Sequence, residues 1–159
     1  MTSKRHRRQN VVRVLWRWTR ETPEAVPRVR IALRCALDQL GFDSEVLEDA
    51  VLAVSELATN ALKHAPGPYE MRLRLTVVGL TCEVMDADPR IPAIPIFPAA
   101  APFAPAPENR GGGSDALLKV LSEGGRGLHL VHHLTCGAWG FATERSGRGK
   151  VAWMAIPGR

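Results

Sequence analysis

The sequence contains no uninterrupted apolar run near the roughly 20 residues that a membrane-spanning helix needs. Its cationic start, Lys4-Arg5-His6-Arg7-Arg8, has no apolar stretch behind it, because Arg13, Arg17 and Arg20 break up the next residues. A secretory leader is therefore not expected, and a cytoplasmic setting is. Cysteine is scarce: Cys35, Cys82 and Cys136 are odd in number and far apart. That pattern argues against a disulfide framework and for small buried hydrophobes in a reducing compartment. Zinc-finger spacing and a basic sheet interleaved with aromatics are both missing. The net charge of +5 is suggestive of an acidic partner, but much of it lies near the start. It therefore reads as a basic, disordered tail over residues 1–9 rather than as a nucleic-acid surface. No internal repeat is visible.

What remains is enough for one domain, residues 10–159. A chain of 159 residues, 45% hydrophobic and 23% charged, is ordinary for a soluble globular protein with a single core. Residues 10–18 alternate imperfectly, with Val12, Val14, Trp16 and Trp18 against Arg13 and Arg17, and read as an edge strand. Thr22-Pro23-Glu24 is a helix-start signal. The helix then carries Val29, Leu33, Ala36, Leu37 and Leu40 on one face and stops at Gly41. Asp43-Ser44 begins a second helix that runs to about His64 and is closed by Pro66-Gly67-Pro68.

Two alternating strands, 69–78 and 80–86, join at Gly79. Residues 87–124 then form a flexible lid. Its first part, 87–114, is rich in proline and alanine and holds Gly111-Gly112-Gly113; a short helix is expected over 115–122. A helix from Leu128 to Leu134 comes next, then strands over 137–143 and 151–156. This order predicts an α+β fold: a two-layer α/β sandwich with a mixed, mostly antiparallel sheet and helices on one face.

Three stretches carry chemistry. On the second helix Leu47, Val51, Val54, Ala58 and Ala61 form the buried stripe, and Asp49, Glu56, Asn60 and Lys63 fall on the opposite side. A solvated polar face is the plain reading. Yet Glu56, Asn60 and Lys63 also put a base, a neutral oxygen ligand for a hard cation and a phosphate-directed charge on one line. Asp86, where a strand runs into Ala87-Asp88-Pro89, is either a turn former or a carboxylate placed to accept a hydrogen bond from a purine amino group. Gly124-Gly125-Arg126-Gly127-Leu128 opens a helix and is either ordinary loop chemistry or an anion cradle. It lacks the third glycine of a dinucleotide fingerprint. Gly149-Lys150 is superficially similar to a P-loop but lacks its first glycine and its metal-binding hydroxyl. His129, His132, His133 and Cys136 recur at helical spacing, but one rigid helix rarely closes a tetrahedral zinc site. Leu128, Val131 and Leu134 read as core, with the histidines flanking them.

In this order the elements resemble the GHKL superfamily, the histidine-kinase-like or Bergerat-fold ATPases, and within it the small anti-sigma-factor serine kinases. The resemblance runs from about Val29 to Ile156 and is most specific over Ala53-Val54-Ser55-Glu56-Leu57-Ala58-Thr59-Asn60-Ala61-Leu62-Lys63-His64-Ala65, which is similar to the family's N box. Asp86-Ala87-Asp88-Pro89 and Gly125-Arg126-Gly127-Leu128 resemble its two nucleotide boxes, and Gly149-Lys150 with Trp153 its closing strand signature.

The resemblance implies ATP and Mg²⁺ as cofactors, Asn60 as the Mg²⁺ ligand and Asp86 as the adenine-reading acid. It implies phosphate contacts from the backbone of Gly125, Arg126, Gly127 and Leu128, further contacts from Lys63 and Arg126, and Glu56 as the catalytic carboxylate that orients or deprotonates a serine hydroxyl. It further implies an anti-anti-sigma-type antagonist protein as substrate, a sigma factor as second partner, and a homodimer formed through the exposed sheet and first helix, for which Trp16 and Trp18 are candidates but read equally well as core. Many relatives carry a threonine where Val151 stands, with a hydroxyl that helps bind adenine. The alternative function is a nucleotide-binding regulatory module without phosphotransfer; a nucleic-acid-associated protein acting through the arginine-rich start is a third.

Overall fold

The computed structural model describes residues 10–94 and 126–158. The sequence expectations for the tail 1–9, for most of the lid, for the helix at 115–122 and for Gly125 lie outside them. Among the described residues eight elements succeed one another: β1 (Val11–Trp18), α1 (Ala25–Gln39), α2 (Ser44–His64), β2 (Tyr69–Thr76), β3 (Gly79–Asp86), α3 (Arg126–Leu134), β4 (Trp139–Thr143) and β5 (Lys150–Ile156). The five strands form one sheet in the order β1-β2-β3-β5-β4, and every pairing in it is antiparallel. The architecture is the expected α+β sandwich, with a sheet that is wholly antiparallel rather than mixed.

The helices layer on one sheet face because their apolar stripes match its inward-pointing row. Val29, Leu33 and Leu37 of α1 and Leu47, Val54 and Leu57 of α2 share one core with Met71, Leu73, Cys82, Val84 and Met154. Between these inward residues on β2 stand Arg72 and Arg74, whose guanidinium groups both pair with Glu83 of β3, Arg74 Nε at 2.6 Å from Oε1. Charges thus occupy the other face, as a period of two requires. Among the described residues no helix is long and apolar enough to cross a membrane.

Several local expectations are corrected. β1 carries a bulge between Val14 and Trp16: Val12 and Val14 align with Arg74 and Arg72, whereas Trp16 and Trp18 align with Met71 and Tyr69. An extra residue switches the face on which side chains emerge, so the four residues grouped as one stripe divide between two faces. Trp18 belongs to the core, stacked on Tyr69 at 5.7 Å.

Thr22-Pro23-Glu24 does not cap α1. The Thr22 hydroxyl oxygen accepts the Thr19 backbone N–H at 3.0 Å, and Glu24, with φ 54°, turns the chain into a helix that starts at Ala25. Pro27 then sits where the helix needs no donor, since the first turn-closing bond runs from Arg28 N–H to Glu24 O. Gly41, at φ +77°, ends the segment in the left-handed region as expected, but Leu40 is exposed.

The predicted strand 69–78 is two residues too long, because Val77 and Val78 form the hairpin loop, Val78 being 92% exposed. Of the three free cysteines only Cys82 is buried; Cys35 and Cys136 are exposed.

Candidate functional site

Strand and helix directions bring Asp86 and the last turn of α2 to one end of the sheet. β3 ends at Asp86 and α2 ends at His64. The backbone N–H of Ala87 donates to the carbonyl of Pro66 at 3.0 Å, which fastens the segment beyond α2 to the end of β3. The last turn of α2 is itself held in place: the carbonyl of Ala65 accepts from Arg20 at 3.1 Å and from the Tyr69 hydroxyl at 2.7 Å. α3 packs along α2, with Gly127 of its first turn beside Glu56.

Glu56 lies in the middle of α2 with its carboxylate against the first turn of α3. A Cβ built on Gly127 would stand 2.6 Å from Glu56 Oε2. The polar line on α2 is therefore not a fully solvated face. Glu56 and Asn60 are half-buried, and only Asp49 and Lys63 are exposed. Burial pushes the Glu56 carboxyl above its ordinary range, and the positive charge of Lys63 offsets part of that rise. A half-buried acid with a raised pKa at the mouth of a helix N-terminus has the character of a proton acceptor.

Gly127 and Leu128 occupy the first turn of α3, where backbone N–H groups have no intrahelical partner. Leu128 also packs against the core. Arg126 is the first residue of that helix.

Asp86 is buried, and each of its carboxylate oxygens has one partner. Its Oδ2 lies 2.8 Å from Nζ of Lys150, and its Oδ1 accepts the backbone N–H of Asp88 at 2.8 Å. The ladder dictates the pairing, since Asp86 and Lys150 are cross-strand partners at the end of β3 and β5. Gly149 is required beside them: a Cβ there would meet the Asp86 carbonyl oxygen at 2.0 Å. Asp88 in turn receives Arg90, from Nε at 3.0 Å to Oδ1 and from Nη2 at 2.9 Å to Oδ2. The Arg90 guanidinium and backbone N–H hold the Asp88 carboxyl down at about 2.

Two features are not legible in the sequence. There Lys150 is only part of a strand signature; the antiparallel register that makes it the partner of Asp86 is the missing signal. The same register puts Val151 opposite Met85, hence on the sheet face away from Asp86. A hydroxyl at 151 would not project beside that carboxylate. Ser55, buried next to Glu56, accepts a hydrogen bond from Arg30 at 3.0 Å and ties α1 to α2.

One histidine of α3 serves locally. His132 Nδ1 accepts the indole N–H of Trp139 at 3.1 Å. Among the described residues no group of three or more His, Cys, Asp or Glu is arranged to hold a metal.

Comparison with known proteins agrees with this layout. A family described as the histidine kinase-like ATPase domain matches residues 19–156. Two Bacillus licheniformis sequences named serine-protein kinase RsbW are each 28% identical to the chain, over 127 and 126 residues. Each alignment covers 70% of this chain and 68% of the relative.

Proposed function

The chain belongs to the histidine kinase-like ATPase domain family, and we propose that it is an ATP-binding regulator that phosphorylates a serine or threonine of an antagonist protein. In this reading it also sequesters a second partner of the sigma-factor type. The observation that carries the reading is the contact of the half-buried Glu56 carboxylate with the first turn of α3; the buried Asp86 supports it from the end of β3, which is fastened to the segment beyond α2. A purine amino group donates to Asp86, and the phosphates lie against the N–H groups of Arg126, Gly127 and Leu128, where the helix end carries partial positive charge. Lys63, near the end of α2, adds charge to it.

The site suits Mg²⁺. Asn60 offers a half-buried amide oxygen one turn beyond Glu56, and Gly127 leaves space that a Cβ would fill. A single protein oxygen is a sufficient contribution for a cation that keeps most of its waters and takes phosphate oxygens as further ligands. When bound, Mg²⁺ supplies neutralisation of phosphate charge.

Glu56 accepts the proton of the incoming hydroxyl as its oxygen bonds to the γ-phosphorus and the bond to the departing ADP oxygen breaks. The 28% identity to proteins named serine-protein kinase supports a hydroxyl acceptor on a protein. Incubation with labelled Mg-ATP and candidate antagonist proteins tests the reading. Label is expected on one of them with wild type and not with Glu56→Gln. Nucleotide binding without transfer to any candidate would leave a regulatory module that holds ATP and acts by protein contacts alone.

A further inference from the structure

Lys150 opens β5 directly across from Asp86. Its ammonium is 2.8 Å from Asp86 Oδ2, and the two side chains are 8% and 5% exposed. The same nitrogen is 3.5 Å from the carbonyl oxygen of Asp88, whose N–H holds the second carboxylate oxygen. A buried pair of this kind is commonly no more stabilising than an apolar pair of equal volume, whereas loss of one partner strands a charge. Stability alone is therefore a weak reason for it.

The backbone is shaped around the pair. Gly149 lets β5 approach so closely that any Cβ would overlap the Asp86 carbonyl oxygen, and this contact delivers the next residue, Lys150, to the carboxylate. Lys150 and the Asp88 N–H take one acceptor position on each oxygen. The lone pairs left over on the carboxylate can only accept.

Resting on the reading of Asp86 as the base-contacting acid, we propose that Lys150 is a positioning residue that makes Asp86 a one-way hydrogen-bond acceptor and so selects a 6-amino purine over a 6-oxo purine. A 6-amino group donates to such a carboxylate. A 6-oxo group sets an acceptor against an acceptor, and a site built for a donor rejects a ligand that lacks it far more strongly than an apolar pocket does. Without the ammonium, Oδ2 loses the partner that fixes the carboxylate, the group is free to turn its accepting lone pairs away from the base, and the discrimination collapses.

The test is calorimetric titration of the full chain with Mg-ATP and Mg-ITP, which differ at the 6-position, and with ribose 5-triphosphate, which has no base. Wild type is expected to prefer ATP over ITP by about 100-fold or more. Lys150→Met is expected to cut that ratio at least tenfold while ribose 5-triphosphate binds as before; Lys150→Arg, which keeps the charge, is expected to recover most of it.

An unchanged ratio in folded Lys150→Met, or an equal loss for all three ligands, would overturn the proposal and leave Lys150 a structural residue. A measurement on wild type covers the case of a variant that does not fold. The Lys150 ammonium resonance, observed by nitrogen NMR, is expected to stay protected from solvent exchange when ATP is added. Its loss would mean that ATP displaces the lysine, which contradicts the proposal. Failure of wild type to bind any of the nucleotides would instead refute the ATP-site reading beneath it.

Discussion

A Cβ on Gly127 would stand 2.6 Å from Oε2 of Glu56, so the first turn of α3 and the acid of α2 share one small space. The obstacle is the far end of a flexible side chain, not backbone. In Gly127→Ala the carboxylate therefore moves and the fold stays. The expected outcome is a fall in phosphotransfer of about 10- to 100-fold, within the range a misplaced proton acceptor costs, larger than the accompanying loss of ATP affinity. Steady-state kinetics beside a binding isotherm read the two separately.

Gly149→Ala meets a different obstacle. Its Cβ would lie 2.0 Å from the Asp86 carbonyl oxygen and 3.2 Å from the carbonyl carbon, and the β3–β5 ladder does not let that backbone retreat cheaply. A loss of about 2–3 kcal/mol is expected, as for other overpacked sites, together with weaker binding of the base. Urea unfolding of the two glycine variants side by side checks the contrast.

Glu56→Gln is expected to lower transfer by about 10²- to 10⁴-fold and to raise stability at neutral pH. The sign comes from burial, which raises the Glu56 pKa in the folded state. A group with a raised folded pKa binds more protons folded than unfolded, so stability falls as pH rises through that interval. The variant lacks this term. Its advantage in thermal melts should be largest above the folded pKa and vanish at pH below 4.5, the ordinary glutamate value.

Glu83 has the opposite sign. Burial pushes its carboxyl up, but hydrogen bonds from Arg74 and Arg72 outweigh this and leave it below its ordinary 4.5. The stability it contributes is complete above pH 4.5 and lost as pH falls through the lower folded value. Acid unfolding of Glu83→Gln should accordingly show a shallower dependence on pH in that range than wild type.

The elements most visible in the sequence are those with a single period. Val29, Leu33 and Leu37 on α1, and Leu47, Val54 and Ala58 on α2, recur at helical spacing and are all buried. The order of elements comes from them, and so does the sandwich. Alternation fails at β1, where one inserted residue moves Val12 and Val14 to the face opposite Trp16; a bulge leaves no mark in composition. Capping chemistry fails at Thr22, whose hydroxyl closes a turn on Thr19 instead.

Within the site, Glu56, Asn60 and Asp86 are legible because each is a polar residue where apolar pattern or strand end makes it conspicuous. Lys150 is not, because its meaning depends on a strand 64 positions earlier in the chain coming back in antiparallel register. The polar line of α2 reads as opposite the core for a related reason: only tertiary packing of α3 shows that Glu56 is half-covered.

The most direct test of the account is isothermal titration of Mg-ATP into wild type, Asn60→Ala and Asp86→Ala, with folding of each checked by thermal melting. Binding by wild type, and losses of about tenfold or more in both folded variants, are the predicted result. Unchanged affinity in either folded variant, or no binding by wild type, would contradict it.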